Sequence, residues 1–255
     1  MSKTHYAIGI RAVELLLSKN DKDIFCIYIE HDSANSRLKK IINSAELEGV
    51  KIQYTNRSRL SQMSQNVRHQ GVIAELKNRK ILDEADLRKM VEERLMVENS
   101  APLLFLILEG IQDPHNLGAC MRTSDAAGVD AIIIPRHAVA GLSPAVSKVA
   151  SGAAEQLPLA AVGNLNRVIR WLKDYGINII GTSDKASISL LEAKLDGSIA
   201  MVMGAENSGI SKNILERCDS LISIPMMGVV SSLNVSVATG VCLFEIVRQR
   251  ALRQA

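Results

Sequence analysis

The apolar positions of this 255-residue chain follow two different rhythms. In the first part, short strand-like runs alternate with stretches of helical spacing. Val13 to Leu17 is apolar on one helical face, and Ile24 to Ile29 is a β-branched and aromatic run that predicts a strand. Asn35 to Glu48 carries Leu38, Ile41, Ile42, Ala45 and Leu47 at helical spacing and ends at Gly49, a natural helix stop. Lys51 to Tyr54 and Val72 to Leu76 predict two further short strands. A polar stretch, Lys77 to Lys80, precedes a charged helix expected from about Asp83 to Glu98, which Asn99-Ser100-Ala101-Pro102 breaks. The pattern gives an N-terminal domain over 1–78, a linker over 79–83 and a second domain over 84–255. A surface loop within one domain is the other reading of that polar stretch.

The second part is richer in short continuous apolar runs: Leu103 to Leu108, Ala131 to Ile134, Ile177 to Gly181, Ile199 to Met203 and Leu221 to Ile224. Such runs suit parallel strands buried on both faces. Helical stretches lie between several of them, including Asn164 to Tyr175, and a last helix is expected from about Asn234 to Ala255. Strands alternating with helices give an α/β fold class. In open parallel sheets ligands bind beyond the carboxyl ends of the strands. Three segments follow strand ends directly and are expected to be loops: Glu109 to Arg122, Gly204 to Gly209, and Pro225 to Asn234.

Composition narrows this picture only a little. Hydrophobic residues make up 47% and charged residues 22%, as in an ordinary soluble globular protein. The longest apolar runs are far too short to span a bilayer, and no secretory leader pattern is visible, so no membrane role and a cytoplasmic location are expected. Cys26, Cys120, Cys218 and Cys242 lie far apart, with neither Cys-x-x-Cys pairing nor zinc-like spacing to a His. They read as buried small hydrophobes, with no metal site. A net charge of +3 permits a polyanionic partner without establishing one. Aromatics at 3% argue against an array of base-stacking platforms, so an RNA ligand would be held by phosphate contacts and a shaped pocket.

The three segments carry the chemistry. In Asp113-Pro114-His115-Asn116-Leu117-Gly118-Ala119-Cys120-Met121-Arg122, Asp113 or Asn116 is a candidate helix cap, and Arg122 suits bidentate phosphate binding. A capped helix with a surface Arg is the plainer alternative. Gly204-Ala205-Glu206-Asn207-Ser208-Gly209 lacks the Gly-Lys-Ser/Thr of a phosphate loop, and the chain has no Gly-x-Gly-x-x-Gly fingerprint. Its bracketing glycines suggest a tight loop where backbone approaches a ligand, with Glu206 an acceptor or a simple turn carboxylate. Ile224 to Ala238 holds Pro225 and Gly228, then Ser232, Asn234 and Ser236 at a helix start; site and helix cap both remain open.

Together, Asn116 through Arg122, Gly204 through Gly209 and Ile224 through Ala238 resemble the three signature motifs of the SpoU/TrmH family of RNA ribose 2′-O-methyltransferases, within the SPOUT superfamily. The likeness extends through Asp125–Val129, Lys148–Glu155, Val237–Gly240, Gly9–Val13 and His69–Val72, so it covers nearly the whole chain. It is strongest to members that methylate a guanosine of 23S rRNA. The resemblance implies an α/β C-terminal domain with a parallel sheet and a deep trefoil knot. It also implies a homodimer and a small N-terminal α/β RNA-binding domain similar to ribosomal proteins.

The resemblance further implies S-adenosylmethionine as cofactor, held near Gly204, Ile224 and Leu233, with Thr182, Met203, Met226 and Gly228 alongside. Arg122 is the implied residue nearest the ribose hydroxyl, Glu206 its orienting partner, and Asn116, Ser232 and Asn234 the groups aligning ribose and phosphate. A tRNA ribose 2′-O-methyltransferase and a catalytically inactive RNA-binding scaffold are the rival expectations.

Overall fold

A computed structural model describes residues 5–18, 23–31, 35–77, 81–136, 144–206 and 208–254. In chain order the elements begin β1 (His5–Ile8), α1 (Ile10–Ser18), β2 (Ile24–Glu30), α2 (Ser36–Leu47), β3 (Ile52–Thr55), α3 (Arg57–Met63) and β4 (Val72–Leu76). There follow α4 (Glu84–Leu95), β5 (Leu104–Leu108), α5 (Pro114–Ala126), β6 (Ala131–Pro135), α6 (Pro144–Ala150), α7 (Ala153–Gln156) and β7 (Leu159–Val162). The chain continues with α8 (Leu165–Asp174), β8 (Asn178–Thr182), β9 (Ile188–Ser189), β10 (Ile199–Met203), α9 (Lys212–Leu215), β11 (Ser220–Ser223) and α10 (Val235–Gln254).

The chain divides into two compact units, one of residues 1–80 with 141–156, the other of 81–140 with 157–255. Of the linker expected over 79–83, residues 79 and 80 lie outside the described residues. Leu82 pairs as an isolated parallel bridge with Ala160, and Asp83 caps α4 in a capping box with Asp86.

Unit 1 holds a four-stranded mixed sheet in the order β1-β4-β2-β3, antiparallel except for β2 with β3. Its core is aliphatic, with Val13, Leu16 and Leu17 of α1 and Leu38, Ile41 and Ala45 of α2 packed with Ile27, Ile29, Val72 and Ala74. His69 is buried beside it. Its Nδ1 accepts from the Gly71 amide at 3.1 Å and its Nε2 lies 3.3 Å from Ser61 Oγ.

Unit 2 is built on a seven-stranded parallel sheet in the order β7-β6-β5-β10-β8-β11-β9. Its central strands explain the apolar runs: all five residues of β5, Leu-Phe-Leu-Ile-Leu, and all five of β10, Ile-Ala-Met-Val-Met, are buried. One core cluster joins these strands to Leu87 and Val91 of α4, Ile214 of α9 and Val168, Ile169, Trp171 and Leu172 of α8.

The parallel arrangement has a functional consequence. It brings the carboxyl ends of β5, β10, β8 and β11, at Leu108, Met203, Thr182 and Ser223, to one edge of four adjacent strands. Backbone hydrogen bonds knit that edge together: the Glu109 amide donates to Met203 O at 2.9 Å and the Ser183 amide to Ile222 O at 2.9 Å.

The first expected loop needs correction. Residues 109–113 form it, and the rest is helix from Pro114. Pro at the first helical position is pre-organised for a helix, and the Asp113 carboxylate caps it by accepting from the His115 amide at 2.9 Å. Asn116 is therefore helical and not the cap. Strands β1, β7 and β9 and helices α3, α6, α7 and α9 had no counterpart in the hydrophobic pattern. The last helix starts one residue later than expected, and Ala255 lies outside the described residues.

Candidate active site

Three segments distant in sequence meet at the side chain of Asn234. Its backbone carbonyl accepts the first bond of α10, from the Ala238 amide at 2.9 Å, and its Oδ1 accepts from the Ser236 amide at 3.0 Å and from the Ser236 hydroxyl. Asn234 is thus the N-cap of a 20-residue helix. Its Nδ2 then donates outward twice, to Asn116 Oδ1 at 3.0 Å and to Glu206 Oε1. One amide uses all of its hydrogen-bonding capacity to join the end of the 224–234 segment, the 204–209 loop and the first turn of α5.

Packing of α5 against α10 fixes this junction from behind. Thr239 Oγ1 donates to Val235 O at 2.7 Å and lies 3.6 Å from Cys120 Sγ, and Gly240 adjoins Thr123. The pairs Asn116–Asn234, Cys120–Thr239 and Thr123–Gly240 advance together along both helices, so the two run in parallel. Their N-termini, each carrying the positive end of a helix dipole, converge at the junction, a setting that favours anionic groups. Burial pushes the Cys120 thiol up to about 11, so it stays protonated and packs as an apolar group.

The 204–209 loop is held at both ends. The Gly209 amide donates to Ala205 O at 2.8 Å, and Ala205 and Gly209 form an antiparallel bridge. A Cβ added at Gly204 would stand 2.1 Å from the Gly209 carbonyl carbon, so this position admits only glycine. Beyond the loop, the Glu109 carboxylate accepts from the Ser211 amide at 2.8 Å on one oxygen and from the Ser211 hydroxyl at 2.7 Å on the other. Glu109 and Ser211 were not singled out in the sequence; their pairing spans 102 positions and leaves no local signature.

The twelve residues marked from the sequence all lie in unit 2. Asn116, Glu206 and Asn234 are in direct contact. Arg122 sits on α5, exposed, roughly 120° around the helix and roughly 9 Å along it from Asn116. Among the described residues its guanidinium has no hydrogen-bond or ion-pair partner, and the described partner of Glu206 is Asn234. Ser232 is exposed in the segment before α10 and is likewise unpaired among the described residues. Asn207 lies outside the described residues.

The residues marked as cofactor-facing cluster at the strand ends. Thr182 and Met203 end β8 and β10, and Thr182 Oγ1 donates to Val202 O at 3.3 Å with Met203 Sδ at 3.7 Å. Gly204 and Ile224 follow β10 and β11 immediately and are half-buried, as are Met226 and Leu233, whereas Gly228 is exposed. Among the described residues the backbone from Ile224 to Leu233 makes no hydrogen bond, which leaves a row of donors and acceptors beside those strand ends. Among the described residues no group of three His, Cys, Asp or Glu side chains could hold a metal ion, and no helix is long and apolar enough to cross a membrane.

Comparison with known proteins matches this geometry to a family. Residues 103–244 match the SpoU rRNA Methylase family, and residues 6–82 match the domain described as RNA 2′-O ribose methyltransferase substrate binding. The chain is 47% identical to the 23S rRNA (guanosine-2′-O-)-methyltransferase RlmB of Shewanella oneidensis, over 98% of this chain and 99% of that protein. It is 46% identical to the RlmB of Vibrio vulnificus, over 98% of each. Its fold is similar to a solved RNA 2′-O ribose methyltransferase, with a TM-score of 0.78 at 24% identity over 98% of this chain and 90% of that one. It also resembles the SpoU methyltransferase AviRb from Streptomyces viridochromogenes in complex with AdoMet, with a TM-score of 0.77 at 22% identity over 97% and 91%. The family match over residues 103–244 and the near-half identity over almost the whole chain show that the chain belongs to the SpoU rRNA methylase family.

Proposed function

We propose that this protein transfers the methyl group of S-adenosylmethionine to the ribose 2′-oxygen of a specific guanosine in 23S rRNA. The observation that carries the reading is the Asn234 junction, where Asn116, Glu206 and Asn234 are pre-positioned at two converging helix N-termini beside the carboxyl edge of the sheet. The free backbone groups of 224–233 and the strand-end residues Thr182, Met203 and Gly204 fit an adenosine-bearing cofactor, which needs main-chain donors and acceptors in a half-buried cleft. When bound, that cofactor supplies an electrophilic methyl group.

The protein's own groups supply positioning and charge. A ribose hydroxyl is a weak nucleophile near neutral pH, so its proton must leave as it attacks; a positioned proton acceptor typically contributes about 10²–10⁴-fold. Arg122, exposed and with no partner among the described residues, is available to clamp a substrate phosphate and organise the proton's path. A guanidinium has five N–H donors and no acceptor, which suits it to that clamping role rather than to the role of a base. Asn116 and Glu206, fixed by Asn234, and the Ser232 hydroxyl align ribose and phosphate. Holding the reacting atoms in line is worth at best roughly 7–11 kcal/mol of the barrier. The requirement for a 2′-hydroxyl excludes DNA.

In this reading unit 1 is the RNA-binding part. Arg57, Arg59, Arg68, Lys39, Lys40 and Lys51 are exposed on it and offer phosphate contacts. The protein works as a homodimer: α10 exposes Val237, Val241, Phe244 and Leu252 along one side, and the segment before it exposes Met227, Val229 and Val230. A trefoil knot agrees with the strand order, in which β10 enters between β5 and β8, and β11 between β8 and β9.

Two measurements test the proposal. Mapping of 2′-O-methyl groups in 23S rRNA, with and without this protein, should show one methylated guanosine that depends on it. Arg122→Ala should abolish methyl transfer while calorimetry still detects S-adenosylmethionine binding. Full activity in a folded Arg122→Ala protein would overturn the assigned mechanism.

A further inference from the structure

Beside the junction, and still within unit 2, lies a cavity of about 420 Å³ over the carboxyl ends of β5, β6 and β7. Its size falls within the range of about 300–1,000 Å³ that small ligands occupy. Two of its lining positions, Glu109 and Gly110, lead directly into the loop before α5, and a Cβ at Gly110 would stand 3.4 Å from Ala205, next to Glu206. The cavity therefore adjoins the segment that carries Glu206.

Its chemistry is asymmetric. Pro135 and Ile214 give apolar surface, while the polar groups include the Glu109 carboxylate, the Asn166 and Asn213 amides and Ser211. Ser211 occupies one acceptor site on each Glu109 oxygen and so fixes the carboxylate plane. About four lone-pair sites exist on a carboxylate; the two that remain lie on its opposite outer sides, so each can accept a single N–H from a ligand. Asn166 Oδ1 is a buried acceptor without a hydrogen-bond partner among the described residues. The exposed Asn213 amide can donate.

Sequence-specific RNA recognition mostly splays unpaired bases out of the stack and hydrogen-bonds their Watson–Crick edges. Guanine presents N1–H and N2–H donors beside the O6 acceptor; adenine presents an acceptor at N1. We propose that this cavity receives the guanine of the target nucleotide, with Glu109 accepting from N1–H through one oxygen and Asn213 donating to O6. The proposal rests on the methyl-transfer reading above. It makes Glu109 a specificity-determining residue, with Ser211 positioning it.

The test uses the whole protein with 23S rRNA transcribed in vitro, first as wild-type sequence to locate the methylated guanosine, then with that nucleotide replaced by adenosine. A site that hydrogen-bonds a substrate N–H rejects an analogue lacking it by up to about 10⁴–10⁵-fold. The wild-type enzyme should therefore strongly prefer the guanosine transcript in kcat/KM. Glu109→Gln, which keeps an acceptor for Ser211 and adds a donor able to meet adenine N1, should lower that preference at least tenfold, roughly one hydrogen bond's worth. S-adenosylmethionine affinity should stay unchanged. Asn213→Ala, at an exposed position, should lower kcat/KM on the guanosine transcript. An unchanged guanosine-to-adenosine ratio in Glu109→Gln overturns this proposal alone. Failure of the wild-type protein to methylate any rRNA guanosine removes the underlying reading, and the base pocket with it.

Discussion

Asn234 caps α10 and also donates to Asn116 and Glu206, and the two roles can be separated by Asn234→Asp. Aspartate caps as well as asparagine, and its charge at a helix N-terminus gains about 0.3–1 kcal/mol. The outward-facing donors are lost. A net hydrogen bond contributes about 0.5–1.5 kcal/mol, and somewhat more to a charged acceptor, but Asn234 and Glu206 are both exposed, so water replaces much of it. Two carboxylates about 4 Å apart repel by about 1 kcal/mol in water and about 4 kcal/mol at an effective dielectric of 20, and exposure places this pair near the lower figure. The sum is a loss of about 1 kcal/mol, or a fall of about 2–4 °C in melting temperature. Activity should respond far more. Glu206 and Asn116 lose their common anchor, and a misplacement of about 1 Å at a reacting site costs about 10²-fold. Thermal melts and single-turnover transfer of labelled methyl groups to 23S rRNA check both halves. An aspartate variant that melts as expected but transfers methyl as fast as wild type would refute the view that the junction serves the reaction.

Gly204→Ala should destabilise unit 2 by about 3 kcal/mol or more, at the upper end of overpacking costs, because the new Cβ meets backbone that cannot rotate away; denaturant unfolding checks this. Burial holds the His69 ring below its ordinary pKa of 6.5, outweighing the opposing pull of Glu30 and aided by Arg57 and Lys148. The unfolded chain then binds the extra proton, so unit 1 should be fully stable above about 6.5 and lose up to about 1.4 kcal/mol per pH unit as pH falls below it. Urea midpoints across that range should show the slope, and His69→Gln should flatten it. Phe244→Asp and Val241→Asp place charges on the exposed side of α10 and should yield monomers by light scattering if that side is the dimer surface. The thiols of Cys120 and Cys242, raised by burial to about 11 and about 12, should resist alkylation at mildly alkaline pH until the protein is unfolded.

The central strands were legible because a parallel strand covered on both faces must be apolar at every position, as β5 and β10 are. The expected starts of helices α2, α4 and α8, at Asn35, Asp83 and Asn164, fall on the residues that cap them. What stayed hidden lacks such a pattern. Strand β7 is Leu-Ala-Ala-Val, too small and too short to stand out at a sheet edge. Helix α3 buries only Leu60, so no apolar stripe marks it, and four-residue β1 gains its identity only from pairing with β4. The 141–156 excursion into unit 1 is rich in Gly, Ala and Ser, a composition that marks no domain change by itself. Asn116 was mistaken for a loop residue although Pro114, a first-turn signal, stood two positions before it.

The site followed the same division. The kinds of residue were readable, since small polar groups and glycines after strand ends have few structural reasons to cluster. Their connections were not, because hydrogen bonds such as Glu109–Ser211 join positions that only the sheet order brings together. Asn234 shows why the capping and functional readings of its segment need not compete. An N-cap asparagine points its Oδ1 into the helix and its amide away from it, so the group that stabilises α10 is by geometry also a donor aimed across the helix end. Placing a second helix N-terminus, that of α5, opposite this donor sets two helix dipoles beside the Glu206 carboxylate that Asn234 holds. In the methyl-transfer reading proposed above, that carboxylate is held where it can accept a hydrogen bond from the ribose hydroxyl, and Arg122, without a partner among the described residues, engages the substrate phosphate.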